Sequence, residues 1–194
     1  DLLRKILSGE ESCPVPSSFN PDHSGGATQD IGIYTIYPMV TLFGKPESVK
    51  AEVTAIEVPA TEGPRRIDTQ ASVVFRYPGM SASVLYSKAA DSRLRTEISG
   101  EKGSISLDQI HITRQAEMTV RGAPTSGRSV GAKPEDITAV CDPDEYLCEF
   151  REFIDLILSG RTESVNNSLD NSVAVAEIID QIRAQGGIVF PADA

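Results

Sequence analysis

The chain has 194 residues, with 28 acidic against 18 basic side chains and a formal net charge of -10. That length fits one domain, or one and a small extra, with room for a substantial core. The charge repels nucleic acid and gives no steering toward anionic membranes, and no apolar run is long enough to span a bilayer.

Apolar residues make up 40% and charged residues 24%, the balance of a soluble globular protein. Cys13, Cys141 and Cys148 show neither metal spacing nor an even disulfide set. They read as reduced thiols in a cytoplasmic protein. The chain opens without methionine on DLLRKILSGE, in what reads as mid-helix, which suggests an artificial boundary, a processed product or the downstream part of a longer gene product.

In chain order, 1–8 reads as the end of a helix stopped by Gly9. Residues 13–26 hold three prolines and the Gly25-Gly26 pair and read as loop. A helix follows from about Ala27 to Phe43, stopped by Gly44, with Ile33, Ile36, Tyr37, Val40 and Phe43 as its buried stripe. From Ser48 the period changes to two, through SVKAEVTAIEV. After a turn at 62–65, strands over 68–77 and 82–88 flank Pro78-Gly79 as a hairpin. RLRTEIS, SISL, QIHITR and 116–121 read as further short strands, with a turn at 100–103. Residues 122–136 read as exposed loop. Helices are expected over 146–158, with Leu147, Phe150, Ile154 and Ile157 inward, and over 168–184, capped by Asn167 or Ser168 and buried through Val175, Ile178, Ile179 and Ile182. IVFP reads as a last strand. There is no internal repeat.

Strands in succession on short turns, with helices segregated from them, give an α+β fold: an open, mostly antiparallel sheet of about six strands with helices on one face. Thr54, Ser72, Ser83 and Tyr86 are expected on the other face, whose mixed character suits a wet surface or a subunit interface.

The motifs of cofactor and metal chemistry are missing. No G-x-G-x-x-G follows a first strand, and Gly100-Glu-Lys-Gly-Ser lies between strands, so it reads as a turn. His23 and His111 stand alone, no metal site is expected, and no G-x-S-x-G elbow occurs. One constellation remains. In SGGATQDIGIYTIYP, Asp30 and Tyr34 are four residues apart, on one helix face, with Gly32 between them. Gly25 and Gly26 allow close approach of a ligand or another domain. Gly32 costs about 1 kcal/mol relative to alanine in a helix interior, so close packing is expected there. A phenol beside an ammonium becomes a usable proton donor or acceptor, and Asp30 can orient a substrate hydroxyl. Pro38 cannot donate to the Tyr34 carbonyl, so a kink or register change is expected there. The alternative reading makes Asp30 a first-turn acid on the helix dipole and Tyr34 and Tyr37 core aromatics.

With GGATQDIGIY at 25–34, FRYPGMSASV at 75–84, TEISGEKGSISL at 96–107, EFREFIDLILSG at 149–160 and SLDNSVAVAEIIDQIRA at 168–184, most of the chain resembles the C-terminal substrate domain of the Gfo/Idh/MocA oxidoreductases. The resemblance implies that 1–194 is a substrate-binding and oligomerisation domain. Its own N-terminal Rossmann domain, absent from this chain, would bind NAD or NADP and supply a lysine. The family's D-x-G-x-[HY] motif falls on Asp30, Gly32 and Tyr34, implying Asp30 as a substrate contact and Tyr34 as the acid/base. It further implies a small-molecule substrate (a sugar, polyol or related carbonyl/hydroxyl compound), a homo-oligomer built through the sheet face, and a fragment inactive alone. The alternative is a non-catalytic sugar-sensing or dimerisation module. The chain departs from the family at 10–24, which is short and does not read as the usual sheet strand.

Overall fold

Alternation of apolar and polar side chains in SVKAEVTAIEV and in RRIDTQASVVFRY drives the first two strands together. In a computed structural model, which describes residues 4–5, 8, 15–122, 133–139, 144 and 146–193, they form β1 (Ser48–Val58) and β2 (Arg65–Tyr77). β3 (Met80–Ser87) returns from β2 across Pro78-Gly79, with Gly79 at φ 70°. The sheet order is β1-β2-β3, all antiparallel. Ala71, Val73, Phe75 and Tyr77 are buried on one face, while Ser72, Val74 and Arg76 are exposed on the other.

Helices cover the buried face. A π-helical turn, Thr28–Gly32, runs directly into α1 (Ile33–Phe43). Pro38 lies inside α1, and the register change occurs in the π turn ahead of Tyr34. Ile36 and Val40 are buried, and Ile33, Tyr37 and Phe43 pack against the same cluster. The last helix (Leu169–Gly186) begins at Ser168, whose hydroxyl accepts from the Asn171 N–H at 3.1 Å. Its buried Val175, Ile178, Ile179 and Ile182 complete this core, each worth about 1.5–3 kcal/mol relative to exposure. Thr54, Ser72 and Ser83 lie on the open sheet face as expected. Tyr86 does not. It is buried opposite Ala71, because strand parity cannot place it with Ser83.

The chain divides into two compact units. The first, Asp1–Asp91 with Val165–Ala194, is the one just described. The second, Ser92–Ser164, holds an antiparallel sheet of β4 (Thr96–Gly100), β5 (Gly103–Leu107), β6 (Ala116–Val120) and β7 (Glu135–Asp136). It also holds α2 (Leu147–Ser159), so the final helix is α3. The α+β class and antiparallel pairing are as the sequence predicts. The strands, however, fall into a three-stranded and a four-stranded set.

Other expectations are corrected. QIHITR forms no strand: the Asp108 carboxylate accepts from the Arg114 and Gln115 N–H groups at 3.0 and 3.1 Å, closing a loop. IVFP forms none either. The Ile188 N–H caps α3 through the Arg183 carbonyl, and the Phe190 N–H goes to the Asp193 carboxylate. The stripe of α2 is not inward: Phe150, Ile154 and Ile157 are 61, 50 and 62% exposed. A helical period fixes which face is apolar, but not whether its own unit covers it. Of the expected helix at 1–8, only residues 4, 5 and 8 are described, and they are helical. Cys13, Cys141 and most of the 122–136 loop lie outside the described residues, and Cys148 is a free, exposed thiol.

Candidate functional site

The approach to the π turn is built from tight backbone. Residues Ser17–Phe19 and Pro21–His23 form two short 3-10 turns, and Ser24 takes a left-handed conformation at φ 56°. The Asn20 carbonyl accepts from the His23 and Gly25 N–H groups at 3.0 and 2.8 Å. A Cβ on Gly25 would stand 2.6 Å from the Asn20 nitrogen and the Ser17 oxygen, and one on Gly26 would overlap Asp68 Oδ1. Both glycines thus meet the chain itself.

Asp68 reaches that position through a bulge. Thr54 pairs with Gln70 and Ala55 with Asp68, so Thr69 is the extra residue of β2. A bulge of this kind re-aims a side chain. Here it brings Asp68, 1% exposed, beneath the start of the helix. Asp68 Oδ2 accepts from the Thr28 N–H at 2.6 Å and from the Thr28 hydroxyl at 2.7 Å. Thr28 Oγ1 lies 2.8 Å from the Tyr86 hydroxyl. Since the single Thr28 hydroxyl proton goes to Asp68, Tyr86 is the donor in that bond. Burial pushes the Tyr86 phenol above its ordinary range. The Asp68–Thr28–Tyr86 relay fastens the π turn to β2 and β3.

Two residues beyond Tyr86, Lys88 extends the same arrangement. Its N–H bonds the Thr69 carbonyl at 2.8 Å. Its side chain is 6% exposed, and its ammonium pairs with Asp30 Oδ2 at 2.7 Å. The same ammonium donates to the Ser18 carbonyl at 2.6 Å and stands 4.4 Å from the centre of the Phe19 ring. Asp30 is 47% exposed, so the pair runs from the interior to the surface. Tyr34 is 58% exposed, and the core-aromatic alternative fails for it. The Tyr37 hydroxyl instead donates to Asn167 Oδ1 at 2.8 Å. Asp30 and Tyr34 therefore present an acceptor and a phenol at the surface of one short segment.

Sequence reasoning misses Lys88 and Asp68 and places Tyr86 on the wrong face of the sheet. For Tyr86 and Lys88 a signal existed in the alternation of SVLYSK, which puts Val84, Tyr86 and Lys88 on one side. For Asp68 there was none, because nothing in the residues announces the bulge. Among the described residues, no three His, Cys, Asp or Glu side chains cluster to hold a metal, and no helix is long and apolar enough to cross a membrane.

Residues 8–106 match the model of the GFO/IDH/MocA C-terminal domain. The scyllo-inositol 2-dehydrogenase (NADP(+)) IolU of Bacillus subtilis is 37% identical over 180 residues, which cover 92% of this chain and 50% of that protein. The trans-1,2-dihydrobenzene-1,2-diol dehydrogenase of Mus musculus is 24% identical, covering 92% and 51%. Among solved structures, the UDP-N-acetylglucosamine 3-dehydrogenase GnnA from Acidithiobacillus ferrooxidans superposes with a TM-score of 0.59 at 19% identity, over 81% of this chain and 50% of that one, a likeness of fold. The chain spans about half the length of the curated relatives it matches. The D-x-G-x-Y turn on its covered sheet and the family match over 8–106 agree, and this chain is a member of the GFO/IDH/MocA family, carrying its C-terminal domain.

Proposed function

We propose that this chain is the substrate-binding part of an NAD(P)-dependent oxidoreductase acting on a sugar or polyol, with a cyclic polyol of the inositol type as first choice. One observation carries the reading: Asp30 and Tyr34 emerge together from a turn held from beneath by Asp68, Tyr86 and Lys88. The 37% identity to a scyllo-inositol dehydrogenase supports the substrate class.

Asp30 accepts a hydrogen bond from a substrate hydroxyl and so fixes the ring. Tyr34 exchanges the proton of the reacting hydroxyl. The nicotinamide, when bound, accepts or supplies the hydride. This chain's residues do not fit the dinucleotide. Among the described residues no glycine-rich loop leads from a strand into a helix, and Gly100–Gly103 joins β4 to β5. On this reading the dinucleotide is held by a further domain, in keeping with relatives about twice as long, and the 194-residue chain alone is expected to be inactive. The open sheet face, with Val74 and Leu85 about half exposed among serines, is the surface proposed for pairing with a second copy. Val74→Glu should then shift the protein toward monomer by sedimentation, and an unchanged mass would remove that part.

The test is Tyr34→Phe in the full-length protein, assayed on a polyol panel with NAD and NADP. Turnover should fall by about 10²-fold or more, the scale of general acid–base catalysis, with cofactor affinity nearly intact. Unchanged turnover would sink the assignment. Polyol binding without any turnover in the wild type would identify a sensing module instead.

A further inference from the structure

We infer that Lys88 is a positioning residue for substrate, acting through Asp30. The inference rests on the polyol-oxidising reading above. A lysine whose side chain is only 6% exposed is a costly choice in a place where an aliphatic side chain would pack. Its donors are also committed. One proton goes to the Ser18 carbonyl, one to Asp30 Oδ2, and the ammonium faces the Phe19 ring. Two of its three N–H groups are taken and the Phe19 ring covers the ammonium, so Lys88 is placed to hold its neighbours rather than to meet a ligand.

What Lys88 does is fix one carboxylate oxygen. Asp30 sits on the π turn, and its side chain would otherwise sample several rotamers at the surface. With Oδ2 held at 2.7 Å by an anchored ammonium, Oδ1 is the oxygen left to accept from a substrate hydroxyl. The anchor is rigid because Lys88 is tied at both ends, by its own N–H to Thr69 and by its ammonium to Ser18. A site arranged this way recognises a substrate by a single hydroxyl donor at Asp30 and leaves the neighbouring hydroxyl to Tyr34. That division suits a ring carrying adjacent hydroxyls.

The experiment uses the full-length protein with scyllo-inositol and saturating NADP, comparing wild type, Lys88→Met, Lys88→Arg, Asp30→Asn and the double variant Lys88→Met/Asp30→Asn. Lys88→Met should raise the KM for the polyol about tenfold, as expected when a charge-assisted contact loses its geometry. The KM for NADP should stay within about twofold, since the dinucleotide is held elsewhere. Lys88→Arg should recover most of the loss. In the Asp30→Asn background, Lys88→Met should add little, because both act through one contact. Lys88→Gln replaces Lys88→Met if the latter does not fold. An unchanged polyol KM with a lowered melting temperature would overturn the inference and leave Lys88 a packing residue, as would losses that simply add in the double variant. If the wild type neither binds nor oxidises scyllo-inositol or any other sugar or polyol of the panel, the underlying reading fails first and takes the inference with it. That outcome is visible before any variant is made.

Discussion

The ring of Tyr86 occupies the space that a side chain on Gly32 would need: a Cβ there would stand 2.8 Å from the ring's Cζ. Gly32 has ordinary helical dihedrals, φ -60° and ψ -35°. It is therefore required for room, not for conformational freedom. The glycine of the D-x-G-x-Y turn and a tyrosine 54 positions later are one packing unit.

Gly32→Ala should lower stability by about 1–3 kcal/mol, the usual scale of overpacking, even though alanine favours the helix by about 1 kcal/mol. Combining it with Tyr86→Leu should give less than the sum of the two losses. Thermal melts of the three variants check this, and a Gly32→Ala protein as stable as wild type would contradict it.

Thr28→Val keeps the shape of the side chain and removes its hydroxyl. Asp68 Oδ2 then loses one of its two donors, and the buried Tyr86 hydroxyl loses its acceptor. The expected cost is about 2–3 kcal/mol, because a buried polar group is left unsatisfied. Urea unfolding should show it as a lower midpoint with unchanged slope.

Alkaline stability should depend on the same tyrosine. Burial raises the Tyr86 phenol in the folded state above its ordinary value of 10.0. The unfolded chain therefore releases this proton first as pH rises. The contribution is full below pH 10 and is lost as pH climbs from there through the folded value. Melting temperature should fall above pH 10, and Tyr86→Phe should flatten that limb.

At the acid end, the Asp193 carboxyl is held below its ordinary value of 3.8 by the Phe190 N–H and by the Arg183 guanidinium. A depressed carboxyl stabilises above its unfolded value and loses that contribution as pH falls through the folded one. Asp193→Asn should lower the melting temperature at neutral pH and show a shallower decline below about pH 4. Equal slopes for variant and wild type would remove Asp193 from the acid response.

The helices were legible in the sequence where local chemistry sets them. Ser168 starts α3 with its own hydroxyl, and Gly44 and Gly160 stop α1 and α2. The spacing of Asp30, Gly32 and Tyr34 was likewise visible. What holds that turn was not. Asp68 lies 40 positions from Thr28 and reaches it only because Thr69 bulges. Lys88 lies just past the end of β3, where a lysine is ordinarily solvated, and its burial depends on Phe19 and Ser18 arriving from a proline-rich loop. Periodicity reports the face of an element. It does not report which distant element meets that face, and for α2 its own unit leaves that face exposed.

The first unit is discontinuous in sequence: its core needs α3, which follows the whole of the second unit. During synthesis, β3 is complete about a hundred residues before α3 is, and the D-x-G-x-Y turn emerges earlier still. At roughly 5–20 residues per second, that is a delay on the order of 5–20 s. Through that interval the nascent chain carries an apolar sheet face covered by α1 alone, the kind of surface that chaperones bind. A stalled chain ending before Leu169 should show protease-sensitive β2 and β3, and release of the full chain should protect them together.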